Sequence, residues 1–313
     1  MKFDVVIPNY NGFSLLEKNL PILLKVLSKY NCGAVIINDD YSKIEDYELL
    51  GSFIEEIKSK YKTQVKLFRN DKNYGFSTTV DNGVRKAESE YVLLLNTDVI
   101  ASENFIDPII LDFEKNENLY GVGIMDKSIE DGGNVLRGRG LASWKRGFLV
   151  HRRGEINSAD TFWISGGSCM VKRDLFLKFG GFDPLYNPFY WEDIDLSYRV
   201  QKAGYAIMFE NRSEVEHRHK EGAIKKHYNS DKINTIAYRN QFIFVWKNIS
   251  DFNLLLSHAL WLPYHMARAL ARFDKPFFVG LLCAIIRLPQ IYKKRVSQKR
   301  LYKLKDADII KNQ

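Results

Sequence analysis

Three short apolar runs, Phe3 to Ile7, Ala34 to Ile37 and Gln64 to Phe68, alternate with two stretches of helical spacing, and that order leaves few folds open. The first helix is read over Leu15 to Tyr30, with Leu16, Leu20, Leu23, Leu24 and Leu27 on one face, and the second over residues 45–60. Strand, helix, strand, helix, strand implies parallel pairing through right-handed crossovers rather than hairpins. Tyr91 to Leu95 then has the content of a strand buried on both faces. The expected class is α/β, a mostly parallel central sheet flanked by helices, with a helical extension at the C-terminal end.

A sheet of this kind gathers ligands outside the carboxyl ends of its strands. The tips after residues 7, 37, 68 and 95 therefore matter most, and they are rich in Asn and Asp. Pro8-Asn9-Tyr10-Asn11-Gly12 follows the first strand and Asn38-Asp39-Asp40-Tyr41-Ser42 the second. Asp39 can accept hydrogen bonds from a ribose or a base, or simply form a turn with Ser42. Asn73-Tyr74-Gly75-Phe76 precedes a helix running through Val80 to Ala87, where Gly75 allows close backbone approach and Asn73 can meet a nucleotide. Asn96-Thr97-Asp98 ends the buried run; Asp98 can hold a hard divalent cation shared with phosphate oxygens, or these residues can merely turn the chain. Neither a GxGxxG nor a GxxxxGK[ST] pattern is present, so dinucleotide and P-loop chemistry are not supported.

Beyond Asp98, residues 102–116 read as helix and Tyr120 to Met125 as strand. Residues 126–160 hold Gly132, Gly133, Gly138 and Gly140 among many arginines, and are expected to be a mobile basic segment or strand pair. Such a segment can border a site for an acidic substrate, or be a solvated loop. Trp163 to Val171 is a glycine-broken strand. Phe189-Tyr190-Trp191-Glu192-Asp193 leads into a helix over residues 192–203 that stops at Gly204. Glu192 and Asp193 fit a helix N-terminus by charge alone; the aromatic run before them suggests that Trp191 offers a ring face to a sugar and Asp193 a carboxylate to take a proton. Ala206 to Phe209 is a short strand, after which His217 and His219 point to one side of an extended segment, as metal ligands or as structural residues.

Residues 234–290 are helical in spacing and unusually apolar, but the run Phe277 to Ile286 is too short to span a bilayer. Basic residues from Lys293 to Lys305 follow, with no acid between Ile291 and Lys305. That pairing suits attachment to anionic lipid, or helices packing on the core or on a second subunit as a homo-oligomer. The formal net charge of +8 calls for an acidic partner, yet no nucleic-acid recognition motif accompanies it. Three scattered cysteines form no CxxC pair, which fits a reducing cytoplasm, and no signal-peptide h-region follows Met1.

Six pieces in order, VVIPNYNG at 5–12, INDDYS at 37–42, NYGF at 73–76, VLLLNTD at 92–98, GGFDPLYNPFYWEDIDLSYR at 180–199 and EVEH at 214–217, resemble the family 2 glycosyltransferases over about residues 3–245. The likeness is greatest to the rhamnosyltransferase-like branch, inverting enzymes of Rossmann-like GT-A fold that build bacterial polysaccharides such as O-antigen or capsule. The resemblance implies a catalytic domain over residues 1–225, with a nucleotide-sugar half to about 100 and an acceptor half beyond it, then a helical region over 226–313. It implies that Pro8 and Asn9 line the nucleotide pocket, that Asp39 contacts the base or ribose, and that Asn96 to Asp98 stand in for an Asp-x-Asp motif. Asp98 is then the metal-bound carboxylate and His217 completes the sphere around Mn²⁺ or Mg²⁺. Asp193 is the general base, with Glu192 and Trp191 beside it in the acceptor site. The implied partners are a nucleotide-diphosphate sugar and a saccharide or polyprenyl-diphosphate-linked acceptor, on the cytoplasmic side and peripheral on the inner face of the plasma membrane. Two departures stand out: Asn96 replaces the first acid of Asp-x-Asp, and Tyr41 occupies a position often small in the family. A nucleotidyltransferase would carry a basic triphosphate loop near the first strand, which PNYNG lacks; a silent saccharide-binding scaffold predicts loss of Asp98 or Asp193, and both are present.

Overall fold

In the computed structural model, which describes residues 1–130, 133–217 and 228–310, strands β1 (Phe3–Asn9), β2 (Cys32–Asp39), β3 (Gln64–Arg69) and β4 (Tyr91–Leu95) pair in parallel in the order β3-β2-β1-β4. Helices α1 (Phe13–Leu27), α2 (Ile44–Ile57) and α3 (Phe76–Lys86) connect them. Strand periodicity sorts the side chains to two faces. Val5, Ile7, Val35, Ile37, Leu93 and Leu95 join α1 and α2 in one core, while Val6, Ile36, Val92 and Leu94 join Val80 and Val84 of α3 in the other. Gly83 lets α3 approach closely, since a Cβ there would lie 2.5 Å from Val6. The buried carboxylate of Asp4 ties strand to loop by accepting from the amides of Ala34, Glu88 and Ser89 at 2.7–2.9 Å.

The second half of the sheet is mixed. Strand β10 (Ser168–Lys172) runs antiparallel between β4 and β6 (Leu119–Glu130), and β11 (Ala206–His217) lies parallel to β6 on its far side. The edge is β5 (Val99–Ala101), antiparallel to β11, and β7 (Gly133–Arg137) extends from β6. Strand β11 is longer than the sequence suggests: its pairing to β6 is irregular between Glu210 and Glu214, then resumes to His217. The basic stretch, expected to be a mobile segment or a strand pair, is built of strands, with β8 (Gly140–Lys145) and β9 (Phe148–Arg153) forming a separate hairpin. Gly132 and His219 lie outside the described residues. Helices α4 (Asp107–Lys115), α5 (Arg173–Lys178) and α6 (Glu192–Lys202) complete this half.

Among the described residues five further helices follow: α7 (Ser230–Asn248), α8 (Phe252–Ala271), α9 (Lys275–Ile286), α10 (Leu288–Lys299) and the short α11 (Asp306–Ile309). They share one core with the β8–β9 hairpin and α6, in which Phe242, Phe244 and Val245 of α7 meet Phe148, Trp191 and Tyr198. A buried ionic cluster joins α6 to α7. Asp195 receives Arg199 at 2.7 Å, Lys247 at 2.8 Å, Asn248 at 2.7 Å and the Tyr186 hydroxyl at 2.8 Å, and Lys247 also reaches Asp183 at 2.6 Å. Nearby, Asp306 pairs with Lys202 at 2.5 Å and accepts from the amides of Ser250 and Asp251. Buried ions persist only when paired and bonded on every side, so these clusters fix how the C-terminal helices seat on α6 more than they add net stability.

Candidate active site

Register assembles the first part of the site. Pairing of β11 with β5 sets His217 opposite Val99, one residue past Asp98, and pairing of β11 with β6 brings Asp126 alongside Val215. His217 Nε2 lies 2.9 Å from Asp98 Oδ1, and its Nδ1 lies 3.1 Å from Asp126 Oδ2. Burial alone would lower the imidazole pKa, but hydrogen bonds to Asp126 and Asp98 and their charges prevail and push it up to about 9. The site is thus electrostatically matched to positive charge. It also fits a divalent cation: two donors at right angles, each roughly 2.1 Å from an octahedral ion, lie about 3 Å apart. Asp126 then holds the distal ring nitrogen, as outer carboxylates do for metal-bound histidines. Ser128 donates to Asp126 at 3.1 Å and in turn accepts from Arg137 at 3.1 Å. Among the described residues no group of three His, Cys, Asp or Glu side chains is arranged to hold a metal alone. Two protein ligands completed by phosphate and water is the pattern of nucleotide-bound Mg²⁺ or Mn²⁺.

The second part is the loop before α6. Tyr190 and Trp191 both adopt left-handed backbone, at φ 69° and 78°, so the chain turns sharply and α6 begins at Glu192. Helix α7 holds this turn. The side-chain amide of Asn240 lies 3.1, 3.0 and 2.8 Å from the carbonyl oxygens of Tyr186, Phe189 and Tyr190, and Arg239 donates to those of Tyr186 and Asn187. Asp193 is partly exposed; it accepts from its neighbour Ile194 N at 2.8 Å and from Gly166 N at 3.5 Å. Gly167 O accepts from Asn96 N at 2.9 Å, so the Ser165–Gly167 turn links the acid loop to Asn96-Thr97-Asp98. Side chains are excluded there, since a Cβ on Gly167 would meet Asn96 at 2.6 Å and one on Gly166 would meet Phe182 at 2.9 Å.

Burial pushes the Glu192 carboxyl up to about 8, helped by the charge of Asp193. Burial likewise pushes Asp193 up to about 6, against the pull of the Ile194 and Gly166 amides. Burial and the Asp193 charge thus favour a neutral Glu192 beside an Asp193 that ionises first. The pair is suited to hold one proton and accept another. Trp191 does not fulfil its expected part. Its ring is 6 % exposed and packs against Phe244 and His151 with ring centres 5.2 Å apart, because the left-handed turn points it into the core. The ring at the surface is Tyr190, 42 % exposed.

The N-terminal tips form the third part. Asp39 is fully buried: its oxygens accept from Asn9 Nδ2 at 2.8 Å, the Ser42 amide at 3.0 Å and the Ser42 hydroxyl, with Arg69 3.7 Å away. It therefore anchors the turn instead of lying at its surface, and Asn9 is buried with it. Asp40 does the same for the next tip, accepting from the amides of Tyr74 and Gly75 at 2.8 Å. Pro8 and Asn96 are half-buried and Asn73 is exposed. Tyr10 and Tyr41 also reach solvent from these turns, each about half exposed, with Arg69 stacked 5.2 Å from the Tyr41 ring.

The match to the family model for "Glycosyl transferase family 2" runs over residues 4–180, more than half of the chain, and includes every tip of the parallel half and the Ser165–Gly167 turn. The chain belongs to glycosyl transferase family 2. Among curated relatives, N-acetylgalactosaminyltransferase 7 of Drosophila melanogaster is 23% identical over 232 residues, 68% of this chain and 38% of that protein. The chain thus spans well under half of that relative's length. Solved structures of similar fold include GalNAc-T7 with UDP, GalNAc and Mn²⁺, at TM-score 0.61 and 16% identity, covering 88% of this chain and 58% of that one. Another is the mannosyltransferase PcManGT from Pyrobaculum calidifontis with GDP-Man and Mn²⁺, at TM-score 0.56 and 15% identity, covering 96% and 84%.

For this family 2 chain, three parts of the site are not evident from sequence motifs. Asp126 lies in a stretch that reads as basic, and only pairing of β6 with β11 brings it to His217. Gly166 and Gly167 read as a strand bulge yet form the turn between the two acids' loops. Arg239 and Asn240 do leave a signal, two polar residues inside the apolar spacing of α7, which no bare helix would bury without partners.

Proposed function

We propose that this protein transfers a sugar from a nucleotide-diphosphate sugar to a hydroxyl of a saccharide or lipid-linked saccharide acceptor, with inversion at the anomeric carbon. The observation that supports it is the convergence, at one end of the sheet, of the Asp98–His217–Asp126 array and the raised carboxyl of Asp193. Asp98 and His217 would hold Mn²⁺ or Mg²⁺, with Asp126 orienting the ring. When bound, such an ion offsets the negative charge that grows on a departing diphosphate. Asp193 takes the proton of the acceptor hydroxyl as that oxygen bonds to the anomeric carbon and the bond from that carbon to the diphosphate oxygen breaks. Attack from the face opposite the leaving group gives inversion in one step, through a centre of oxocarbenium character. Glu192, kept neutral by burial, leaves the negative charge on its neighbour.

Neighbouring structures bind donors with different bases, so the donor is to be found by a panel of UDP-, GDP- and TDP-sugars, with Mn²⁺ and with Mg²⁺. Asp98→Ala is expected to lose metal-dependent donor binding. Asp193→Asn is expected to keep donor binding and lower transfer on the order of 10²–10⁴-fold. Unchanged transfer by Asp193→Asn would refute the assignment of the base, and absence of any nucleotide-sugar binding would refute the function.

A further inference from the structure

Helix α8 carries a face that nothing among the described residues covers. Of its 20 residues only His258 and Ala269 are buried. Phe252, Leu256, Leu260, Met266 and Leu270 fall on one side by helical spacing and are 74%, 45%, 70%, 40% and 68% exposed. The α8–α9 turn continues the patch with Phe273, which is 92% exposed although its backbone is left-handed, at φ 51°, a conformation that bulky residues adopt only at a cost. Leu282 and Ile286 of α9 add to it at 57% and 68% exposure.

The charges around this patch identify its partner. Residues 252–300 contain nine Lys or Arg and a single acid, Asp274. That acid is already engaged, accepting from Tyr238 at 2.7 Å and capping α9 through Phe277 N at 3.3 Å. Arg268, Arg272 and Lys275 are exposed around the α8–α9 turn, and Lys293 and Lys299 on α10 and Arg300 just past it are exposed as well. A second copy meeting this face would set cation against cation. An anionic bilayer instead offers acyl chains to the leucines and phosphates to the basic rim. No single helix among the described residues is long and apolar enough to cross a membrane; α9 and α10 reach that composition only together, bent by 63°.

We propose that the outer faces of α8 and α9, with the Phe273 turn between them, lie in the plane of an anionic lipid surface. The docking face is rigidly coupled to the catalytic loop. Trp144 of the β8–β9 hairpin donates to Ser257 of α8 at 3.2 Å, and Gly147 O is 2.7 Å from His258. Gly280 seats α9 on α7, where a Cβ would come within 2.8 Å of Tyr238, and α7 holds the carbonyls of the turn before Glu192. Lipid docking therefore sets the acid loop at a fixed attitude to the surface. This inference stands apart from the proposed transfer chemistry.

The test is co-sedimentation of the full chain with vesicles of phosphatidylcholine alone and with about one third phosphatidylglycerol. Binding is expected to be at least roughly tenfold stronger on the anionic vesicles and to weaken with salt. Leu260→Asp with Leu270→Asp is expected to lower that binding by about tenfold or more, and so is Arg272→Glu with Lys275→Glu. Both pairs are solvent-exposed, so an unchanged thermal melt is required of each. Equal binding to both vesicles, or full binding by folded variants of both kinds, overturns the proposal. So does analytical ultracentrifugation showing a dimer that the leucine variant abolishes while vesicles bind neither protein. Nucleotide-sugar binding, followed separately by calorimetry, reports on the catalytic reading alone.

Discussion

Asn240→Ala removes one side chain that never meets a substrate, yet it should disable the enzyme. The Asn240 amide serves three carbonyls of the turn that ends in Glu192 and Asp193, and its oxygen accepts from Arg239 Nε at 2.9 Å and Nη2 at 2.7 Å. Two donor hydrogens lost from a buried site cost about 1–1.5 kcal/mol each, and the carbonyls left without partners add to this. Against it stands relief of strain at Tyr190 and Trp191, of order 1–2 kcal/mol each if both leave the left-handed region. With roughly 1 kcal/mol for each of the three carbonyls left without a partner, the expected net loss is about 2–3 kcal/mol, a fall in Tm of roughly 3–5 °C for a chain of this size. Strain relief is the damaging part, because a turn that relaxes carries Asp193 with it. A shift of about 1 Å in a reacting group lowers kcat on the order of 10²-fold. Donor binding, proposed to rest on Asp98 and His217 on other elements, should change by no more than roughly threefold. Steady-state kinetics beside calorimetric donor titration separate the two effects, with Asn240→Asp as a variant that keeps the acceptor for Arg239. A lowered Tm with unchanged kcat would show that the turn is held by something other than α7, and the reasoning would fail.

Asp126→Asn should weaken Mn²⁺-dependent donor binding by about ten- to a hundredfold with the fold intact, measured by metal titration at fixed donor. The pH profile of kcat/KM should rise with pH through about 6, since Asp193 accepts a proton only when ionised and burial has raised its pKa to that value. Any decline near pH 8, where the buried Glu192 carboxyl loses its proton, should vanish in Glu192→Gln. Asp195→Asn should cost roughly 3–5 kcal/mol in urea unfolding, because Lys247 and Arg199 stay buried with one carboxylate fewer. Burial alone would raise Asp195 and Asp183, but Arg199 and Lys247 for the first, and Lys247 and Lys294 for the second, hold both below the ordinary carboxylate range. Their stabilisation is therefore present above about pH 4 and lost as pH falls; Asp195→Asn should flatten that acid dependence.

The parallel half of the sheet was legible because its signals are local. β-Branched runs and helical spacing define the strands, helices and tips, and Asn96-Thr97-Asp98 and Glu192-Asp193 were visible as carboxylates at the ends of elements. Sequence also marked His217 together with Asp98, though not Asp126. Tertiary structure decided what each acid faces. Strand register across a mixed sheet brought Asp126 to His217, a relation between residues 91 positions apart that no local pattern encodes. Left-handed backbone at Trp191 turned into the core a ring that its position in the motif suggested for a sugar, and bonds from Asn9 and Ser42 drew Asp39 beneath its own turn. Residues 234–290 read as helical and unusually apolar, but only packing revealed which side of α8 is covered by α7 and the β8–β9 hairpin and which faces outward. Composition specifies what a segment can bury; the neighbours that arrive from elsewhere in the chain determine what it does bury.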